Sequence, residues 1–93
     1  MAKRFDQQVV WITGGGSGIG LALAIEFARE GAAVAVSGRR EDRLADAVHA
    51  IQAAGGVGHP VRCDVTDEAS VAEAAQRIVR DLGGLDVAVA NAG

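Results

Sequence analysis

Apolar and polar positions fall into short segments of alternating character. Val9-Val10-Trp11-Ile12 is a continuous apolar run that stops at Thr13-Gly14. A run of this kind, bounded by turn residues, predicts a strand buried on both faces, as in a parallel sheet. A glycine-rich turn follows, Gly14 to Gly20. Leu21 to Glu30 then carries Leu21, Ala24, Ile25 and Ala28 at helical spacing, with Gly31 as a stop. Ala33 to Ser37 predicts a second strand, ending at Gly38-Arg39-Arg40. In Glu41 to Ala54, Leu44, Val48 and Ile51 again recur at helical spacing, and Gly55-Gly56 closes the segment. Pro60 to Cys63 predicts a third strand, with Pro60 at its start, where a missing N–H is tolerated. Thr66 is the expected N-cap of a third helix, ahead of acidic Asp67 and Glu68. Val71, Ala75, Ile78, Val79 and Leu82 form its apolar face, and Gly83-Gly84 ends it. Leu85 to Ala90 predicts a fourth strand running into Asn91-Ala92-Gly93.

The order is β-α-β-α-β-α-β. Strands alternating with helices predict a parallel sheet with right-handed crossovers. The expected fold is α/β, a Rossmann-type doubly wound sheet with strands in the order 3-2-1-4 and three helices. Its switch point falls between the first and fourth strands, and ligands bind beyond the carboxyl ends of the strands. The residues at those ends are Thr13-Gly14, Gly38-Arg39, Asp64-Val65 and Asn91 to Gly93.

Composition narrows the functions. Ninety-three residues suffice for one small domain, 49% of them apolar, so a core is affordable though marginal. The net charge of −3 and basic runs no longer than Lys3-Arg4 and Arg39-Arg40 offer no field for nucleic acid. A single cysteine, Cys63, excludes an internal disulfide framework. No apolar run approaches the roughly 20 residues of a membrane span, and no secretory leader is visible. The expected location is the cytoplasm. No His, Cys or carboxylate set has metal-ligand spacing. His49 is expected to face solvent, His59 to sit in a loop, and Trp11 and Cys63 to pack in the core.

The turn Thr13 to Gly20 carries the chemistry. Gly is 13 of the 93 residues, far above average usage, and the turn holds five of them. Entered by a strand and left by a helix, it brings backbone amides close to a pyrophosphate. A side chain at Gly14 or Gly18 would block that approach or forbid the dihedrals. The helix N-terminus adds unpaired N–H groups and the positive end of its dipole, and Ser17 adds a hydroxyl donor. Gly20 allows close packing of the helix on the first strand. Ser17 has no partners that would make it a nucleophile. The simple G-x-G-x-x-G fingerprint fits only in part. The pattern T-G-x-x-x-G-x-G fits Thr13, Gly14, Gly18 and Gly20 without a gap.

That pattern is similar to the one carried by short-chain dehydrogenases/reductases, and the resemblance extends over nearly the whole sequence. It implies a dinucleotide cofactor bound by Gly14, Gly16, Ser17, Gly18, Ile19 and Gly20. It implies that Asp64, with Val65, meets the adenine, where a carboxylate accepts from an exocyclic amine. The alternative for Asp64 is a helix cap, a role Thr66 can fill alone. Asn91-Ala92-Gly93 resembles the family's N-A-G element, which steadies the sheet and passes the ribose and nicotinamide; its alternative is a plain turn.

Arg39 and Arg40 bear on the cofactor. NAD-binding folds place a carboxylate at the end of the second strand for the ribose 2′-OH. Here Gly38 stands at that position and Arg39 follows, and a guanidinium suits a 2′-phosphate. NADP(H) is therefore preferred, with NAD(H) the alternative. Arg40 is either a second contact or a solvated charge. Gly38-Arg39 also argues against a methyltransferase-like sheet. The resemblance places the catalytic Tyr-x-x-x-Lys pair, a Ser and a further Asn after the N-A-G element, and this chain has no Tyr. The expectation is a single NAD(P)-binding domain over residues 1–93, incomplete at its C-terminus and without catalytic residues. It comes from an oxidoreductase that interconverts alcohols and carbonyls and is a homo-oligomer when complete. The alternative is a stand-alone, non-catalytic dinucleotide-binding module.

Overall fold

The computed structural model describes residues 5–16 and 18–91. Its elements are β1 (Val9–Thr13), α1 (Gly18–Arg29), β2 (Ala33–Gly38), α2 (Glu41–Ala53), β3 (Val57–Arg62), α3 (Glu68–Leu82) and β4 (Val87–Ala90). All pairings are parallel and the strand order is β3-β2-β1-β4, the doubly wound order expected from the sequence. In register, Trp11 lies between Ala35 and Ala88, and Thr13 between Ser37 and Ala90.

Alternation along β1 and β2 sends successive side chains to opposite faces. Val10, Ile12, Val34 and Val36 meet Ala24 and Ala28 of α1 and Leu44, Val48 and Ile51 of α2. Val9, Trp11 and Ala35 point the other way, with Val61 and Cys63, onto Ala74 and Ile78 of α3. Both faces are therefore covered, which is why β1 and β2 read as unbroken apolar runs. The polar end of Trp11 is satisfied within the core: Nε1 donates to Ser37 Oγ at 2.9 Å. His49 faces solvent, as expected.

Several expectations are corrected. α1 begins at Gly18 rather than Leu21, because the glycine turn winds directly into the first helical turn. β3 begins at Val57, so Pro60 is internal to it, opposite Val36. Cys63 N donates to Gly38 O at 3.0 Å, and amides alternate sides along a strand, so the nitrogen of Pro60 faces away from β2 and no ladder bond is lost. The N-cap of α3 is Asp67, whose carboxylate accepts from Ala69 N at 3.0 Å, not Thr66. Val79 is 48% exposed and lies outside the apolar face of α3. His59 lies on β3 rather than in a loop, its Nε2 3.1 Å from Asp81 Oδ2. No helix among the described residues is long and apolar enough to cross a membrane.

The predicted start of β4, Leu85, is also two residues early, and the reason is Asp86. Its Oδ2 accepts from Val9 N at 2.7 Å, and its own N donates to Val9 O at 2.9 Å. One residue thus satisfies both polar groups at the entry of the central strand. Asp86→Ala is expected to cost about 1–2 kcal/mol, since Val9 N loses a charged acceptor; a urea melt against wild type measures it.

Candidate functional site

The carboxyl ends of the four strands form one rim, which brings together most of the expected residues. Ser17, Ala92 and Gly93 lie outside the described residues. At the centre of the rim the chain leaves β1 with Gly14 at φ 67° and re-enters helix with Gly18 at φ 61°. Both values are in the left-handed region, which glycine enters without steric cost. Space above Gly18 is open, with nothing within 4 Å of where a Cβ would stand. The first turn of α1 starts there, and its leading amides have no intrahelical acceptor. Ile19, in that turn, is 74% exposed, unusual for a large apolar side chain.

Gly20 has a different reason for being glycine. A Cβ there would collide with Gly14 O and with Nδ2 of Asn91. Asn91 closes the other side of the turn. Its N donates to Thr13 Oγ1 at 3.1 Å, its Nδ2 donates to Gly14 O at 3.4 Å, and Thr13 Oγ1 donates to Val89 O at 3.3 Å. The end of β4 is thereby tied to the end of β1 and to the glycine turn.

Two hollows open on the rim and share Gly14, Gly38 and Arg39. One is completed by Cys63, Asp64, Val65 and Thr66. Asp64 Oδ1 accepts from Thr66 Oγ1 at 2.7 Å and from Thr66 N at 3.0 Å. The Thr66 hydroxyl, then its amide, then the charge of Arg39 hold the Asp64 carboxyl below the usual carboxylate value. Asp64 therefore lines the hollow as an ionised acceptor at neutral pH. Val65, beside it, is 46% exposed.

Because folding lowers the Asp64 pKa, its contribution to stability is complete at neutral pH. It is lost as pH falls from the unfolded value, about 3.9, through the lower folded one. Thr66→Ala is expected to move the Asp64 pKa back up toward that ordinary value, as followed by a carboxyl NMR titration; an unmoved titration contradicts the assignment of cause.

The other hollow is lined by Gly16, Ser37, Arg40, Arg43 and Leu44 besides the shared residues. Arg39, Arg40 and Arg43 converge on it, and no carboxylate stands at the end of β2. Arg40 is tied to Asp42, Nη2 to Oδ2 at 2.9 Å. Arg43 is absent from the sequence-based candidates. Its signal was the helical spacing itself, since it follows Arg40 by three residues and precedes the core residue Leu44.

An open parallel sheet, a glycine cradle at a helix N-terminus and a cationic hollow at the next strand end define a dinucleotide-type nucleotide-binding sheet. The chain belongs to the short-chain dehydrogenase family, whose model matches residues 8–93. It is 47% identical over 90 residues to a 3beta-hydroxysteroid dehydrogenase of Mediterraneibacter gnavus, covering 97% of this chain and 33% of that protein. A hydroxysteroid dehydrogenase of Escherichia coli, in crystal structure, superposes with TM-score 0.93 at 40% identity, covering 99% of this chain and 39% of that one. NAD+-bound xylitol dehydrogenase superposes with TM-score 0.88 at 35% identity, covering 92% of this chain and 33% of that one. The chain thus corresponds to about the first third of these oxidoreductases.

Proposed function

We propose that this chain is the cofactor-binding portion, a single incomplete domain, of an oxidoreductase that takes NADP(H) in preference to NAD(H). The observation that carries the preference is the hollow at the end of β2, ringed by arginines with Gly38 where an acceptor for a ribose 2′-OH would stand. The residues fit the group. Gly14, Gly16, Gly18, Ile19 and Gly20 offer amides to the pyrophosphate, and the positive φ at Gly14 and Gly18 favours glycine there. Asp64 and Val65 hold the adenine edge, and Arg39, next to Gly38, faces the 2′-phosphate. Asn91 borders the ribose and nicotinamide.

When bound, NADP(H) accepts or delivers a hydride. This chain's own residues bind and orient it, and none is assigned a role in moving the accompanying proton. The parent reaction is interconversion of a small-molecule alcohol and carbonyl, in a cytoplasmic homo-oligomer. The dehydrogenase names of the relatives favour an enzyme over a stand-alone binding module. The NAD+-bound relative keeps NAD(H) as the second reading. Calorimetric titration with NADPH and NADH separates them. Tighter NADPH supports the preference, equal or tighter NADH reverses it, and binding of neither by folded protein removes the dinucleotide reading.

A further inference from the structure

The glycine turn, Gly14 to Gly20, contains no basic residue. The cations facing the rim come instead from the β2–α2 connection and from α2. Arg39, Arg40 and Arg43 line one hollow, yet they are not equivalent. Arg40 donates to Asp42, and that contact holds the Asp42 carboxyl below its ordinary value. The guanidinium groups of Arg43 and Arg39 make no hydrogen bond or ion pair with any described residue, and the charge of Arg39 acts on Asp64.

The position of Arg43 is set by packing on both sides. Leu44, next in sequence, is 3% exposed and fixes the rotation of α2 against the core. A Cβ at Gly16 would lie 3.2 Å from Arg43 Cβ and 3.7 Å from Arg43 O. The first turn of α2 therefore rests directly on the glycine turn, and Arg43 leaves the helix beside it. The nearby carboxylates do not compete for it. Asp42 is engaged by Arg40, Asp64 by Thr66, and Glu41 lines a separate hollow with Arg62 and Arg77.

We propose that Arg43, rather than Arg40, is the second specificity-determining cation, taking the 2′-phosphate of NADP(H) together with Arg39. This rests on the NADP(H) reading above. A phosphate monoester carries a charge of about −1.5 to −2 at neutral pH, enough to occupy two unpaired guanidinium groups. Arg40 stays with Asp42 at the start of α2.

The test is titration of wild type, Arg43→Ala and Arg43→Lys with NADPH and with NADH at one ionic strength. Arg43→Ala is expected to weaken NADPH about tenfold and NADH less than about twofold, the loss of one charged contact. Arg43→Lys, which keeps the charge and loses the fork, recovers part of the NADPH affinity. A wild type that prefers NADPH beside an Arg43→Ala variant that keeps the same ratio overturns this proposal alone. Equal weakening of both cofactors also overturns it, since that marks a structural role. A wild type without preference removes the NADP(H) reading, and this proposal with it.

Discussion

Arg39→Ala is expected to weaken NADPH binding about 30-fold, equivalent to about 2 kcal/mol, while NADH stays within about twofold. Arg39 is the residue common to both hollows on the rim, next to Gly38 at the end of β2 and within reach of the Asp64 charge. In the proposed site it faces the position where the two cofactors differ, by a phosphate on one ribose. Removing the guanidinium therefore takes away a term that only NADPH has. Arg39→Asp goes further: a carboxylate repels the 2′-phosphate and accepts from a 2′-OH, so the preference inverts. Calorimetry reads both variants. Equal losses for the two cofactors would place Arg39 outside the 2′ position.

Gly20→Ala is expected to destabilise the fold by about 2–3 kcal/mol and to weaken both cofactors together. The atoms that an added Cβ meets are a backbone carbonyl, Gly14 O, and the Asn91 amide held against it. Neither is the free end of a flexible side chain. Relief requires moving α1 away from the end of β1, which pulls the amides of its first turn off the cradle. Urea denaturation measures the first effect and titration the second. A variant as stable as wild type would mean that the helix is not pressed onto the turn as closely as the structure has it.

Most of the architecture was legible because each strand of the sheet's centre is buried on both faces. β1 and β2 could be read as apolar runs, and the buried residues Leu44, Val48 and Ile51 as one helix face. What misled at the boundaries was short-range chemistry. Pro60 looks like a strand start until β3 is known to be an edge whose nitrogen faces outward. Thr66 and Asp67 are both good N-caps by type. In the structure α3 starts at Glu68, so Asp67 holds the N-cap position and accepts from Ala69 N, while the Thr66 hydroxyl donates to Asp64. The bond from Val9 N to Asp86 spans 77 residues and had no local signal.

The candidate site was legible where the backbone alone makes it, at Gly14, Gly18 and Gly20. It was less so where side chains from separate elements meet. Adjacent Arg39 and Arg40 look like a pair in the sequence. In space Arg40 is tied to Asp42, and Arg43, one turn along α2, shares the hollow with Arg39. The Asp64 carboxylate, read from the sequence as a strand-end residue, lines a hollow on the rim, while its double hydrogen bond to Thr66 emerged only from the fold.

The central claim is that the glycine cradle and the arginine hollow form one dinucleotide site. Amide chemical-shift mapping of the isotope-labelled protein during NADPH titration tests it most directly. Shifts are expected to concentrate at Gly16, Gly18, Ile19, Gly20, Arg39, Arg43, Asp64 and Val65, and NADH is expected to leave Arg39 and Arg43 least changed. Shifts centred instead on Glu41, Arg62 and Arg77, or none at all in a folded protein, would contradict it.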